Sequence, residues 1–225
     1  LLERLGSRLN FLVGGARDLP ARQQTIRNAI DWSYHLLSPH EANLFARLGL
    51  FVGGCTLEAA EAVCNADGAL ALDVVEGIAA LADQSLLRQD AGPGEAPRFV
   101  MLETIREYAI DQLGRRGEAA ALQRSHAEYF MALAEQAEPE LVGPRQVAWL
   151  DRMERDLDNL RAALAWSLEQ GEAELGLRLA GALSAFWYTR SHWNEGRRWF
   201  EALLAQGDRA APASRAKALL GAGQL

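Results

Sequence analysis

The sequence predicts a mainly α-helical protein in which a winged helix-turn-helix module with a short β-hairpin precedes a tetratricopeptide-like array of helices. Residues 39–113 show the order helix, helix, helix, hairpin, helix, which is the order of a winged helix-turn-helix. From Glu118 onward, apolar residues recur at spacings of three and four, which is typical of packed helices. A loose repeat links Arg178–Leu183 to Arg215–Leu219 after about 36 residues, near the tetratricopeptide period of about 34.

The composition is that of a soluble globular protein. The 225 residues are 49% hydrophobic and 24% charged, and no apolar run approaches the roughly 20 residues that a membrane-spanning helix needs. The net charge of −7 argues against a broad nucleic-acid-binding face, because phosphate neutralisation requires clustered Lys and Arg. We therefore expect a cytoplasmic protein with no membrane contact. Cys55 and Cys64 are expected to be reduced and packed, with a disulfide as the alternative.

Residues 1–37 contain two helical patterns that are separated by a polar loop. The first pattern ends at Gly14–Gly15, and Thr25 is expected to cap the second helix, which carries Ile26 and Ile30 on its apolar stripe. The chain begins without an initiator Met and keeps a helical pattern to its last residue, so we expect a piece of a longer protein.

The next three helices are predicted from their N-terminal signals. The segment Ser38–Glu41 has the residues of a capping box with Pro at the first helical position. Thr56 is predicted to cap a short helix that runs through Cys64, and a third helix is predicted from about Leu70 to Ala82.

A β-hairpin and a further helix complete the predicted winged helix. Ser85–Asp90 and Arg98–Leu102 are predicted to be strands, because the loop between them is rich in turn residues. The helix that follows is expected to end near Gly114 or Gly117. Its predicted apolar side consists of Leu102, Ile105, Tyr108, Ala109 and Leu113.

The third helix bears on whether the module binds DNA. In DNA-binding modules this helix enters the major groove and contacts bases through Arg, Lys, Asn or Gln. Here Leu70–Asp83 contains three acidic residues and no basic one, so it would repel phosphates and is expected to pack against protein. The hairpin adds Arg88 and Arg98 but also Asp90 and Glu95. A DNA-binding winged-helix transcription factor stays the alternative.

The residues after Glu118 are predicted to form the helical array. One stripe passes through His126 and ends before Pro139, and a second stripe from Val147 to Leu168 has a regular spacing that indicates burial. A dense group of aromatic residues follows, for which we expect an inter-helix core and, for some members, a recognition face. The candidate partner-binding residues are Trp187, Tyr188, Arg190, Trp193, Arg197 and Arg198.

No catalytic or metal-binding motif is found in the sequence. A phosphate-binding P-loop ends in Lys followed by Ser or Thr, whereas the single lysine, Lys217, is followed by Ala218. The four histidines lie far apart, without the spacing of a metal or catalytic site. We therefore predict that this segment is not an enzyme and holds no cofactor of its own, with an enzyme of another type as a less favoured alternative.

Several phrases of the sequence carry a family resemblance. They are Leu19–Thr25, Asp31–Tyr34, Leu36–Ser38, Phe51–Ala60, Met101–Ala109 and Asp158–Leu164. In this order they resemble the bacterial signal-transduction ATPases with numerous domains, the STAND class, many of which are transcriptional regulators with AfsR-like or LuxR-like layouts. The likeness covers nearly the whole chain.

The resemblance implies a division into three parts. Residues 1–37 would be the end of the helical lid of an NTPase module, residues 38–117 the winged-helix domain, and residues 118–225 the start of a tetratricopeptide-like sensor. The NTPase core would precede Leu1, would hold ATP or ADP with Mg²⁺, and would be a partner of the winged helix in the same chain. The sensor would bind a protein or small-molecule inducer, and no nucleic acid would bind to this segment directly.

One position departs from the pattern of related switches. In those proteins a Met-His-Asp phrase opens the helix after the wing, and its His contacts the ADP phosphate. The matching residues here are Met101, Leu102 and Glu103, and a leucine side chain cannot donate a hydrogen bond. The candidate nucleotide-switch positions are Leu102 and Glu103, with Arg17 and Arg22 as further candidates if their loop is not simply solvated.

Overall fold

The structure is a computed structural model that describes residues 26–66, 68, 70–90 and 97–225. The backbone divides into two compact units, Leu1–Leu122 and Gln123–Leu225. The predicted fold class is confirmed, because a winged helix-turn-helix with a small antiparallel sheet is followed by an array of helices. Within the described residues, no helix has both the length and the apolar character that crossing a membrane requires.

The first unit contains five helices and three short strands among its described residues. In chain order these elements are α1 (Ile26–His35), α2 (Pro39–Leu48), β1 (Cys55–Thr56), α3 (Leu57–Cys64), α4 (Val74–Asp83), β2 (Arg88–Asp90), β3 (Arg98–Val100) and α5 (Glu103–Arg116). The long helix α6 (Ala119–Ala137) starts in this unit and continues into the second. The predicted helix around Ile26 is present, whereas Thr25 and the first helical pattern lie outside the described residues.

The N-terminal signals of α2 and α3 act as predicted. The Ser38 hydroxyl accepts a hydrogen bond from the Glu41 amide at 3.3 Å, and the Glu41 carboxylate accepts one from the Ser38 amide at 2.7 Å. Thr56 accepts from the Ala59 amide at 3.2 Å. The third helix begins later than predicted, because Asp73 caps it by accepting from the amides of the second and third helical residues.

The sheet has one strand more than the predicted hairpin. Its order is β1-β3-β2, with both pairs antiparallel and β3 in the centre. Cys55 and Gln89 lie opposite Phe99 on either side. Strand β1 was not predicted, because two residues carry no alternation pattern and their partner is more than 40 positions away. The observed hairpin strands are also shorter than the predicted ones.

The core of the first unit lies between α2, α3, α4 and α5. Close approach of α2 and α4 depends on Gly77, because a Cβ there would lie 2.4 Å from Leu44 Cδ2. The helix α5 ends at Gly117, which has a φ of 73° and so adopts the left-handed conformation of a helix C-terminus. The largest buried side chains of this unit include Leu44, Phe45, Leu81, Tyr108 and Leu113.

Two glycine-to-alanine variants in this unit should have opposite effects on stability. Gly77→Ala should lower the free energy of unfolding, because overpacking costs about 1–3 kcal/mol and exceeds the roughly 1 kcal/mol gained in helix propensity. Gly114→Ala in α5 should raise it by about 0.5–1 kcal/mol, since a Cβ there meets no atom within 4 Å. Urea unfolding measures both, and equal effects of the two variants would contradict the packing of α4 on α2.

The described second unit is helical throughout. After α6 come a 3-10 turn (Glu138–Val142), α7 (Gln146–Arg155), α8 (Leu157–Glu169), α9 (Ala173–Thr189), α10 (Trp193–Gln206), a second 3-10 turn (Gly207–Arg209) and α11 (Pro212–Gln224). Helix α9 is central, because it packs against α8, α10 and α11. Its buried side includes Leu179, Leu183, Phe186 and Trp187.

Two expectations for the apolar stripes of the array are corrected. The stripe from Val147 to Leu168 belongs to two helices, because the backbone leaves helical geometry at Asp156. Val147 is 69% exposed, since it lies in the first turn of α7 and faces away from the core. His126, by contrast, is buried as predicted, with its ring 4.6 Å from that of Phe130.

Candidate interaction surfaces

The outward side of α4 is acidic and apolar. Val74, Ile78 and Leu81 face the core, and Asp73 accepts from the Val75 amide at 2.8 Å and the Glu76 amide at 3.2 Å. The solvent-facing residues of the helix are Val75, Glu76, Ala79, Ala82 and Asp83. None of them carries a donor that could read a base edge.

The excess of acidic over basic residues extends over both α3 and α4, the two helices of the helix-turn-helix. Between Arg47 and Arg88 there is no Lys, Arg or His. The same 40 residues contain six acidic residues, which are Glu58, Glu61, Asp67, Asp73, Glu76 and Asp83. A segment of this charge repels phosphates and attracts positively charged groups.

The arginines of the wing do not offset this charge equally. The Arg98 guanidinium donates to the Gly53 carbonyl at 3.0 Å and to the Gly54 carbonyl at 2.7 Å, so it ties β3 to the turn before β1. Arg88 is exposed on β2, opposite Val100 in the sheet. Of the two wing arginines, Arg88 is therefore the one that is presented to solvent.

A groove of about 300 Å³ opens beside the C-terminal end of α4. Its lining comes from the end of α4, from the two hairpin strands and from the start of α5, and includes Ala82, Leu86, Arg88, Val100 and Leu102. The Leu102 side chain is 57% exposed. Its predicted place on the buried side of α5 was wrong, because Leu102 is the N-cap residue and precedes the helix.

The two described switch candidates, Leu102 and Glu103, lie at the start of α5. Leu102 makes no side-chain cap hydrogen bond, and the Glu103 carboxylate accepts two bonds from the Arg106 guanidinium, at 2.8 and 3.0 Å. A leucine side chain has no donor for a phosphate oxygen, and the Glu103 carboxylate is paired with Arg106, while the switch role of the two positions stays a prediction. Arg17 and Arg22 lie outside the described residues.

A buried arginine that the sequence analysis missed holds three parts of the first unit together. Arg47 in α2 is 5% exposed and donates to the Cys64 carbonyl at 2.6 Å and to the Glu118 carboxylate at 3.0 Å. Glu118 directly precedes α6, so this pair fixes where the chain leaves the winged helix. The apolar pattern around position 47 predicted the helix but not that a charged side chain points inward.

The Arg47–Glu118 pair should contribute strongly to stability. Glu118→Gln removes a counter-charge that lies 2.8 Å from the buried guanidinium, so we expect a loss of about 1.5–3 kcal/mol in the free energy of unfolding. Combining Glu118→Gln with Arg47→Met should recover part of that loss, because the buried positive charge is then removed as well. Glu61→Gln, at an exposed acid of α3, serves as the control. If urea unfolding shows that Glu61→Gln lowers the free energy of unfolding as much as Glu118→Gln does, the Arg47–Glu118 pair is not the cause of the loss.

Neither cysteine forms a disulfide and both are buried, which confirms the expectation of reduced, packed thiols. Burial raises the pKa of the Cys64 thiol well above its ordinary value, and the proximity of Cys55 adds to this. A thiol held in its neutral form is a poor nucleophile. Cys64 therefore does not have the properties of a reactive thiol.

Helix α1 is fastened to α5 by an aromatic and polar cluster. The Tyr108 hydroxyl donates to Asp31 at 2.6 Å, and the Tyr108 and Tyr34 rings lie 5.4 Å apart. Burial, followed by the hydrogen bond to Asp31, raises the pKa of the Tyr108 hydroxyl. Arg27 pairs with Asp111 at 3.2 Å. Residues predicted to belong to the lid thus pack directly on the winged helix.

The aromatic residues of the array divide into buried and exposed groups. Trp187 and Phe200 are fully buried and meet edge to face at 5.5 Å. Trp187 is therefore a core residue, and its assignment to the partner-binding set is corrected. Tyr188 and Trp193 are 60% and 49% exposed, and the Trp193 indole donates to the Tyr188 carbonyl at 2.9 Å.

The three arginines of the predicted partner-binding set have intramolecular acceptors. Arg190 pairs with Asp151, and Arg197 donates to the Leu225 carbonyl. Arg198 donates through Nε to the Asn194 carbonyl at 3.2 Å. Arg198 also lines a groove of about 420 Å³ between α8 and α10, whose other residues include Arg161, Leu168, Glu195 and Trp199.

The charges in the α8–α10 groove are largely compensated. Arg161 donates to both oxygens of Glu195, at 2.6 and 2.7 Å, and to Asp158 at 2.9 Å. The hydrogen bonds from Arg161 lower the pKa of the Glu195 carboxyl. A second opening of about 510 Å³ near Tyr188 is lined by Leu141, Val142, Gln146, Ala185, Thr189 and Gln224, none of them charged.

Comparison with known proteins assigns the first unit to a domain type. Residues 37–114 match the winged helix-turn-helix domain model, in agreement with the observed order of helices and strands. The chain therefore contains a winged helix-turn-helix domain. No solved structure matches the chain significantly.

Relatives are found in mycobacteria. Over 194 residues, or 86% of its length, the chain is 41% identical to proteins of Mycobacterium tuberculosis and Mycobacterium bovis that are provisionally named HTH-type transcriptional regulators. The chain spans only 22% of the length of these relatives. It is also 31% identical over 123 residues, or 54% of its length and 31% of theirs, to uncharacterized proteins of the same two species.

Proposed function

We propose that this chain is a regulatory segment of a transcriptional regulator of the STAND type, in which the winged helix acts as an intramolecular switch by contacting protein. The similarity to mycobacterial proteins named as HTH-type transcriptional regulators supports a role in regulation. The observation that carries the role of the winged helix is the side of α4 that faces solvent, which has acidic and apolar residues but no basic one.

The helical array would be the sensing part of the same protein. Helices α8 and α10 begin 36 residues apart, and α9 and α11 begin 39 residues apart, which supports a tetratricopeptide-like arrangement. A protein or small-molecule inducer would bind at exposed Tyr188 and Trp193, or at the separate α8–α10 groove that Arg198 lines.

The remaining parts of the proposal concern residues beyond this segment. An NTPase core that binds ATP or ADP with Mg²⁺ would be the partner of the winged helix, and the segment itself would not be an enzyme. An inducer would act by binding one arrangement of core and winged helix better than the other, because only a difference in affinity shifts an equilibrium. The protein would work in the cytoplasm.

The second candidate is a winged helix that binds DNA directly. The domain match and the names of the relatives favour it, and Arg88 is exposed on the wing. Against it stands the electrostatic cost of bringing the α3–α4 region, with six acidic residues and no basic one, to the phosphate backbone.

Duplex DNA binding by the whole chain distinguishes the two candidates. Fluorescence anisotropy of labelled duplexes of varied sequence would be followed at about 50 mM and about 200 mM salt. We expect no dissociation constant tighter than about 10⁻⁵ M even at the lower salt. Tight, salt-sensitive binding that Arg88→Ala weakens would overturn the proposal and establish the DNA-binding alternative.

A further inference from the structure

The outward side of α4 and the groove beside it share Ala82 and form one continuous surface, which we call the α4 docking surface. Its members are Val75, Glu76, Ala79, Ala82, Asp83, Val100 and Leu102. An apolar strip of Val75, Ala79 and Ala82 runs along the helix at spacings of three and four and leads into the groove.

We propose that the α4 docking surface binds a protein segment that presents Lys or Arg side chains around an apolar side chain. This inference rests on the proposed function, in which the winged helix contacts protein, and it adds the chemistry of the partner. The apolar side chain would enter the groove against Leu102 and Val100, and the basic side chains would lie along α4.

Charge complementarity determines the sign of the partner's charge, which is expected to be positive. Glu76 and Asp83 both lie along one side of the apolar strip, and Glu58 and Glu61 are exposed on α3 of the same helix-turn-helix. Single exposed ion pairs contribute little, so attraction has to come from several acidic residues acting together. An extended surface of one sign also raises the association rate of an oppositely charged partner.

The groove determines the rest of the partner's chemistry. Leu102 occupies an N-cap position, where Ser, Thr, Asp or Asn would satisfy a free amide. Instead it contributes no cap hydrogen bond and leaves an apolar side chain 57% exposed beside Val100. Arg88 is the basic residue in the lining, so the partner's positive charges are expected over α4 and away from β2.

Two other occupants are less compatible with this surface. Duplex DNA is repelled by the acidic residues and has no apolar group suited to the groove. A second copy of the chain placed symmetrically would bring the same acidic surface against itself, because a two-fold interface uses the same patch on both subunits. Both occupants remain outcomes that the experiment can detect.

Three designed peptides of equal length test the partner's chemistry on the whole chain. The first is a helical Lys/Leu peptide, the second replaces Leu by Ser and keeps the charge, and the third replaces Lys by Glu and keeps the leucines. Anisotropy titrations should show that the Lys/Leu peptide binds at least about tenfold more tightly than either other peptide. The preference should decline between about 50 mM and 200 mM salt.

Variants locate the binding on the chain. Asp83→Lys places a cation at the C-terminal end of α4, where the helix dipole favours it, so folding should be maintained. The double variant that combines Asp83→Lys with Glu76→Gln should weaken the affinity for the Lys/Leu peptide at least about tenfold. Leu102→Ser should weaken the Lys/Leu peptide while leaving the Lys/Ser peptide unchanged. Glu169→Lys, at an exposed acid of α8, is the control and should change affinity less than about twofold.

The outcomes separate this inference from the proposed function. If the Glu/Leu peptide binds as well as the Lys/Leu peptide, or if Glu169→Lys weakens binding as much as the α4 variants do, the inference is wrong. If no peptide binds and duplex DNA does not bind, the inference fails while a protein-contacting winged helix survives. If DNA competes with the Lys/Leu peptide for the α4 docking surface, both fail. Sedimentation of each variant detects self-association through α4, which would also overturn the inference.

Discussion

Replacing Trp187 by Ala should destabilise the second unit by about 3–5 kcal/mol, the range for removing a fully buried large aromatic side chain. The indole packs edge to face on Phe200, and its ring contacts the position of Gly196, where an added Cβ would lie 2.6 Å from Trp187 Cε3. The surrounding helices α9 and α10 cannot close the resulting cavity without moving their backbones. Urea unfolding followed by far-ultraviolet circular dichroism measures the loss.

The neighbouring residue supplies a matched control for this variant. Tyr188 is 60% exposed, so Tyr188→Ala should change the free energy of unfolding by less than about 0.5 kcal/mol. The same pair also tests the proposed sensing surface, because Tyr188→Ala should weaken binding of the proposed inducer without affecting folding. A small effect of Trp187→Ala on stability would show that this tryptophan is not the core residue that its burial indicates.

Lowering the pH from about 6.5 to about 4 should remove on the order of 3 kcal/mol of stability through His126. Burial lowers the pKa of this imidazole from 6.5 to about 4, and the hydrogen bond with Asn159 at 3.3 Å offsets only part of that effect. In this pH window the unfolded chain binds a proton that the folded chain does not, so protonation favours unfolding. The stability that depends on a neutral His126 is therefore present above about pH 6.5 and lost near pH 4.

Urea unfolding at several pH values measures this dependence. His126→Gln should flatten the slope between pH 4 and pH 6.5, because the variant has no group that titrates at position 126. His40→Gln, at an exposed histidine of α2, is the matched control for the substitution. A slope that survives in His126→Gln would assign the acid sensitivity to other groups.

Local signals in the sequence were enough to place most helices. The Ser38–Glu41 capping box, the Thr56 cap and the Gly117 end are interactions among residues a few positions apart, so their chemistry is visible in the sequence. The third helix was placed several residues too early. The apolar pattern begins at Leu70, but the helix begins only after Asp73, whose side chain caps it.

Features that depend on distant residues were missed. Strand β1 pairs with a strand more than 40 positions later. Arg47 forms a hydrogen bond with Glu118 only because the fold places α2 beside the start of α6. The exposure of Leu102 and Val147 has the same origin, because each lies at the end of a helix where no second element of the described residues covers it.

The sequence by itself determined the distribution of charge in this protein and the helical spacing of its apolar residues. The absence of any basic residue between Arg47 and Arg88 can be read directly, and charge does not depend on packing. Only the tertiary structure decided that Trp187 enters the core while Tyr188 and Trp193 stay at the surface. Helical spacing tells which residues share a face, but whether that face is buried depends on which other helix packs against it.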